Sequence, residues 1–111
     1  MADFGPGSLV IVHCTNPREK MWGVLIKLDT TGAVVRGMDL ATVEDWLRQE
    51  RTDSPALIGP STFFVPAHRV VRIDLEERGG PVASYEDRYR AGGGGDVRSA
   101  LTGSIDDGVE G

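Results

Sequence analysis

The sequence is short of cysteine, histidine, aromatic residues and long apolar runs, and each shortage removes a class of protein. One cysteine in 111 residues, Cys14, leaves no partner for an internal disulfide, and the two histidines, His13 and His68, supply no ligand set at zinc spacing. No metal and no cofactor is implied. No apolar stretch approaches the roughly 20 residues that a membrane span needs, so no membrane partner is expected. The opening Met1-Ala2-Asp3-Phe4-Gly5-Pro6-Gly7 lacks the basic-then-apolar order of a secretory leader, which points to the cytoplasm. Cations are scarce too: 12 Lys and Arg face 17 Asp and Glu, for a net charge of −5. That is the wrong sign for binding that rests on neutralising phosphates.

What is present suffices for one folded domain, since 40% of residues are apolar and 26% charged, close to the globular average. The composition changes at Gly79. From Gly79-Gly80-Pro81 through Gly92 to Gly95 and on to Gly111 the chain is small, polar and glycine-rich, a composition that buries too little to offset its ordering entropy. The expected division is therefore a β domain over 1–78 and a flexible acidic tail over 79–111. Residues 1–78 hold nine basic and eleven acidic groups and 79–111 hold three and six, net −2 and −3. Such a tail is either a tether and acidic shield or simply a solvated end. Tyr85 and Tyr89, four apart, would also permit a short helix docking on a neighbour.

Within 1–78 the apolar runs are short and punctuated by turn residues, which is a strand pattern. Leu9–Cys14 reads as a first strand, Asn16-Pro17-Arg18-Glu19-Lys20 as a turn, and Met21–Leu28 as a second strand. Gly23 lies inside it, where a missing side chain marks a bulge or a sharp bend. Asp29-Thr30-Thr31-Gly32 turns the chain into a third strand, Ala33–Met38, with Gly37 inside. Phe63–Val65 is a fourth strand broken at Pro66, and Ala67-His68-Arg69 links it to a fifth, Val70–Leu75. Alternation puts Val71, Ile73 and Leu75 on one face of that strand. Between the third and fourth strands, Ala41 to Ser61 opens with Thr42 as N-cap, and Val43, Trp46 and Leu47 make one apolar helix face. Trp46 is either a lid on the core or an exposed anchor for a partner.

Little here is arranged for catalysis. His13 and Cys14 are adjacent in a strand, so their side chains leave on opposite faces and do not form a nucleophile–base pair. No carboxylate pair sits at a catalytic spacing, and no glycine run precedes a helix as a phosphate cradle. A non-enzyme is expected. His68 and Arg69, in a tight link between strands, are the better candidates for contact with a ligand. The alternative is a histidine bonded to its own turn.

Gly23-Val24-Leu25-Ile26-Lys27-Leu28-Asp29 resembles the first motif of the Sm-like family of small β-barrels (the LSm and Hfq type), and Val70-Val71-Arg72-Ile73 is similar to the apolar spacing of the second. The resemblance spans roughly Ser8 to Glu77 and skips the inserted helix. It implies a mainly β fold, a five-stranded, strongly bent Sm-like or SH3-like barrel, with the helix between strands three and four. It also implies a homo-oligomer, ring-forming, in which a fourth strand pairs with a neighbour's fifth. His68 resembles the histidine of the Lys-His step in the Hfq branch, with Ala67 in place of the lysine. The aromatic and asparagine that read RNA in the family correspond here to Thr31 and Ala33, and its basic step to Pro66 and Ala67.

Three functional readings follow. The first is a non-catalytic barrel that assembles with itself and binds a protein partner or acts as a scaffold. Its interface would use Phe63, Phe64, Val65, Val70 and Trp46, and its ligand site Asp29, Thr31, His68, Arg69 and Arg72. The second is an RNA-binding regulator using His68, Arg69 and Arg72 with Arg36 and Lys27. The third, a weak hydrolase, needs an acid beside His68. A capped monomer, with the Trp46 face folded over the open edge, is the alternative to assembly.

Overall fold

The protein is described here by a computed structural model covering residues 4–50 and 58–110, the last seven of these by backbone alone. Five strands and three helices follow in the order β1 (Leu9–Cys14), β2 (Glu19–Asp29), β3 (Gly32–Asp39), α1 (Leu40–Glu50), β4 (Ser61–Pro66), a 3-10 turn (Ala67–Arg69), β5 (Val70–Leu75), α2 (Tyr85–Ala91) and α3 (Val97–Glu110). All strand pairs are antiparallel and the sheet order is β4-β3-β2-β1-β5. β4 and β5 are the outer strands and are not paired with each other, so the ladder is open.

Both faces of the sheet are buried, and the period-two alternation divides the apolar residues between them. Leu9 of β1, Trp22 and Val24 of β2 and Met38 of β3 point to one side, where Val43, Trp46 and Leu47 of α1 and Val97 and Leu101 of α3 cover them. Val10, Val12 and Cys14, Leu25, Ala33 and Val35, and Val65 form the other cluster, with Phe63, Val70, Ile73 and Leu75 packed against it. Every strand contributes to this second cluster, the two outer ones included. A flat five-stranded sheet would hold its edges far apart, so the sheet curves around this face.

The curvature depends on two glycines. Gly23 and Gly37 are cross-strand partners, and a methyl group on either would overlap the opposite backbone: Arg36 O for Gly23 and Trp22 O for Gly37. The bulge expected at Gly23 lies instead at Ile26, where the β2–β3 register shifts between Leu25 and Lys27. Gly23 serves close approach, and the extra residue falls beyond the helix-covered part of the strand. A second shift, opposite His13 and Cys14, leaves Val71 unpaired and 64% exposed, so Val70 takes the inward place that alternation assigned to Val71.

The inserted helix is capped by Asp39, whose carboxylate accepts from Ala41 N at 2.9 Å, while Thr42 Oγ1 donates back to Asp39 O. Thr42 is therefore inside the first turn and not its cap. Gln49 pairs with both backbone groups of Ile58, at 2.8 and 3.0 Å, and holds the return of the chain. Asp53-Ser54-Pro55, whose turn chemistry would end the helix, lies outside the described residues.

The core extends past residue 78, which corrects the expectation of a flexible tail from Gly79. Ser84 and Asp87 form a reciprocal capping box at the start of α2, which carries Tyr85 and Tyr89 onto the tryptophans of its own chain. Val97 and Leu101 of α3 are 1% and 0% exposed. Composition misled here because the few large residues are spaced for one helix face each while glycine fills the links between.

Glu76 ties this layer to the sheet. Its carboxylate is 7% exposed and accepts Tyr85 N at 2.8 Å and Glu86 N at 3.1 Å. Replacing Glu76 by Ala should cost about 2 kcal/mol, the value of charge-assisted hydrogen bonds to otherwise unpaired N–H groups. Gly37→Ala, which forces two backbones apart, should cost more, about 3 kcal/mol or above. Urea unfolding followed by tryptophan fluorescence measures both.

Candidate functional site

The β2–β3 turn and the 3-10 turn meet at one end of the sheet, joined by Ala67 N donating to Thr31 O at 2.8 Å. Asp29 organises the first of these: its Oδ1 accepts Thr31 N at 2.9 Å and Thr31 Oγ1 at 2.5 Å, an Asx turn that holds the Asp29 carboxyl below the usual carboxylate range. Lys27 Nζ lies 3.5 Å from its other oxygen. His68 sits in the adjoining turn, exposed, with no hydrogen-bond partner among the described residues. The turn that carries Asp29 and Thr31 thus adjoins the turn that carries His68.

Arg69 and Arg72 leave this group. Arg69 reaches the β1–β2 turn, where its Nε donates to Thr15 O at 3.1 Å and one Nη to Pro17 O at 3.0 Å and Glu19 Oε1 at 2.7 Å. With Nε and one Nη committed to the β1–β2 turn, Arg69 acts as a clamp between the two turns. Arg72 lies on the sheet face and donates to Asp74 Oδ2 at 3.1 Å. The same oxygen is 2.8 Å from His13 Nε2. Desolvation opposes ionisation of Asp74, but the bonds from His13 and Arg72 outweigh it and hold the carboxyl low.

Of the residues assigned to an interface, Trp46 is corrected outright. It is 3% exposed and its ring stacks on Tyr89 at 5.3 Å, so it is core and cannot anchor a partner. Val65 is buried as well, and Phe63 and Val70 are half-buried inward. Phe64 is the one that faces out, 53% exposed on the open β4 edge. On the opposite edge Val71 takes the outward place, a residue that strict alternation hid.

A groove of about 610 Å³ lies between the start of β1, the end of β5 and α2. Most of its charged groups are matched within the fold: Glu76 caps α2, Asp87 holds Ser84 and Arg78, and Arg98 bonds Gly7 O and Glu86. Cys14 is buried, and desolvation pushes its thiol up, away from the thiolate a nucleophile requires. Among the described residues no three His, Cys, Asp or Glu side chains converge on a metal position, and no helix is long and apolar enough to cross a membrane.

No family model matches the chain, and no match was found among curated proteins or solved structures. The reading of the site rests on its own geometry.

The contrast between neighbours His68 and Arg69 is testable. Arg69→Met should lower stability by about 1–3 kcal/mol, because it strips three hydrogen bonds and leaves Glu19 without its partner. His68→Ala should stay within roughly 0.5 kcal/mol of the parent. Denaturant midpoints of the two variants give the comparison.

Proposed function

We propose that the chain is a non-catalytic, self-assembling module, a small curved barrel of Sm-like type that serves as a binding or scaffold protein. The observation that carries this reading is the pair of unmatched edges. β4 and β5 are both six residues long, sit at opposite sides of one sheet and present Phe64 and Val71 outward. An open apolar edge is a template for strand pairing. When the two free edges belong to opposite ends of one sheet, the contact is head-to-tail, and repeated rotation closes a ring. The barrel reading is supported by the sheet order, by the Gly23–Gly37 approach and by a core cluster drawn from all five strands.

A protein ligand fits better than RNA. Arg69 donates into the β1–β2 turn and Arg36 Nε to Leu101 O at 2.9 Å, so two of the cations that would meet phosphate are committed inside the fold. His68, Asp29 and Thr31 remain at the junction of the two turns as the surface that a ring would present repeatedly.

Light scattering behind a sizing column should return at least twice 11.9 kDa for the full chain. Phe64→Lys, an exposed and foldable change, should return the monomer mass with unchanged circular dichroism. A monomer in the parent at every concentration tested would refute assembly.

A further inference from the structure

A second surface lies at the β5 side of the sheet, beside the β1–β2 turn. His13 of β1 is paired with Lys20 of β2 on one side and Arg72 of β5 on the other. Directly paired residues share a face, so Lys20, His13 and Arg72 stand in one row across three strands. Arg18 joins them from the turn. Together with Thr15 and the bulged Val71, His13, Arg18 and Lys20 line a pocket of about 320 Å³.

The charge of this pocket is unusual for the molecule. Among the described residues eight Lys or Arg side chains have a carboxylate within 4.0 Å, and Arg36 bonds Leu101 O and Thr62. Arg18 and Lys20 have neither kind of contact, although the chain carries five more acids than bases. Like charges side by side on a sheet oppose each other, and Asp74 contacts the Arg72 and His13 members of the row but not Lys20. His13 Nε2 is held by Asp74, which leaves Nδ1 for a second partner.

We propose that this pocket binds a small dianion of the phosphate or sulfate class, held between Arg18 and Lys20 with the His13 imidazolium donating from Nδ1. The Asp74 carboxylate orients the ring and balances the proton it gains, so occupancy and protonation of His13 reinforce each other. The groups facing the ring are Lys20 from β2, Arg72 and Asp74 from β5, and Arg18 from the turn. Glu19 and Cys14 also border the pocket, but Glu19 is paired with Arg69 and the Cys14 thiol stays protonated. Val71 belongs both to this pocket and to the β5 edge proposed for assembly, whereas the cations Arg18 and Lys20 do not lie on that strand.

The test uses the full chain, isotope-labelled and titrated with sodium sulfate at constant ionic strength at pH 5.5 and 7.5. Sulfate keeps its charge over that range, so a pH dependence of binding reports the proton that His13 must carry on both ring nitrogens to bond Asp74 and the anion together. Saturating amide shifts centred on His13, Arg18 and Lys20 are expected, several-fold tighter at pH 5.5. The Arg18→Gln/Lys20→Gln double variant should bind about tenfold more weakly or worse, with the rest of its spectrum unchanged. His13→Gln should bind equally at both pH values. Inorganic phosphate and phosphoserine then distinguish the source: equal affinity indicates the free ion, tighter phosphoserine a phosphorylated side chain. Unsaturable shifts spread over all exposed cations, equal parent affinity at both pH values, or sulfate binding unchanged in the double variant would overturn the proposal.

Discussion

The packing of Trp22 is the contact on which the rest of the architecture depends. This side chain leaves the middle of the sheet, is 0% exposed, and meets Trp46 of α1 at 5.7 Å between ring centroids and Tyr85 of α2 at 6.2 Å. Tyr89 closes the far side by stacking on Trp46. One tryptophan thus joins the strand, the inserted helix α1 and the helix α2. Its Nε1 has no hydrogen-bond partner, a cost of about 1–3 kcal/mol. Burying some 200 Å² of ring contributes about 5 kcal/mol, so packing wins. The glycines opposite each other at positions 23 and 37 make that arrangement possible, because they let β2 and β3 come close beside the rings.

The sheet then has one face covered by helices and another that curves upon itself, and both solutions leave the same two strands unsatisfied. Their edges differ in kind. β4 ends at Pro66 and shows Phe64 beside a regular ladder, while β5 is bulged at Val71 and carries Arg72 and Asp74. Bulges and charges on an edge discourage indiscriminate pairing.

Electrostatics are used sparingly and locally. Arg88 grips Glu44 from α2 to α1, Arg98 binds Glu86 and the Gly7 carbonyl, and Arg69 holds the β1–β2 turn. Each of these cations replaces packing that a chain of this size lacks between layers. The pocket beside His13 stands apart because its cations serve no such contact.

The strands and the one-turn link were legible in the sequence because they depend on local alternation and on turn chemistry: Leu9–Cys14, Ala67–Arg69 and Val70–Leu75 lie where their residues place them. The Asp29–Thr31 turn and the opposite faces of His13 and Cys14 were legible for the same reason. Three things were decided only by tertiary structure. Bulges at Ile26 and Val71 follow from fitting one curved strand to its neighbour. The roles of Arg69 and Glu76 follow from which backbone groups arrive beside them from far along the chain. The fate of residues 79–103 follows from a core that was incomplete without them: Tyr85, Tyr89, Val97 and Leu101 are too few to fold as a segment, yet enough to cover Trp22 and Trp46 once a sheet presents them. Composition reports the first condition, and burial against a distant surface supplies the second.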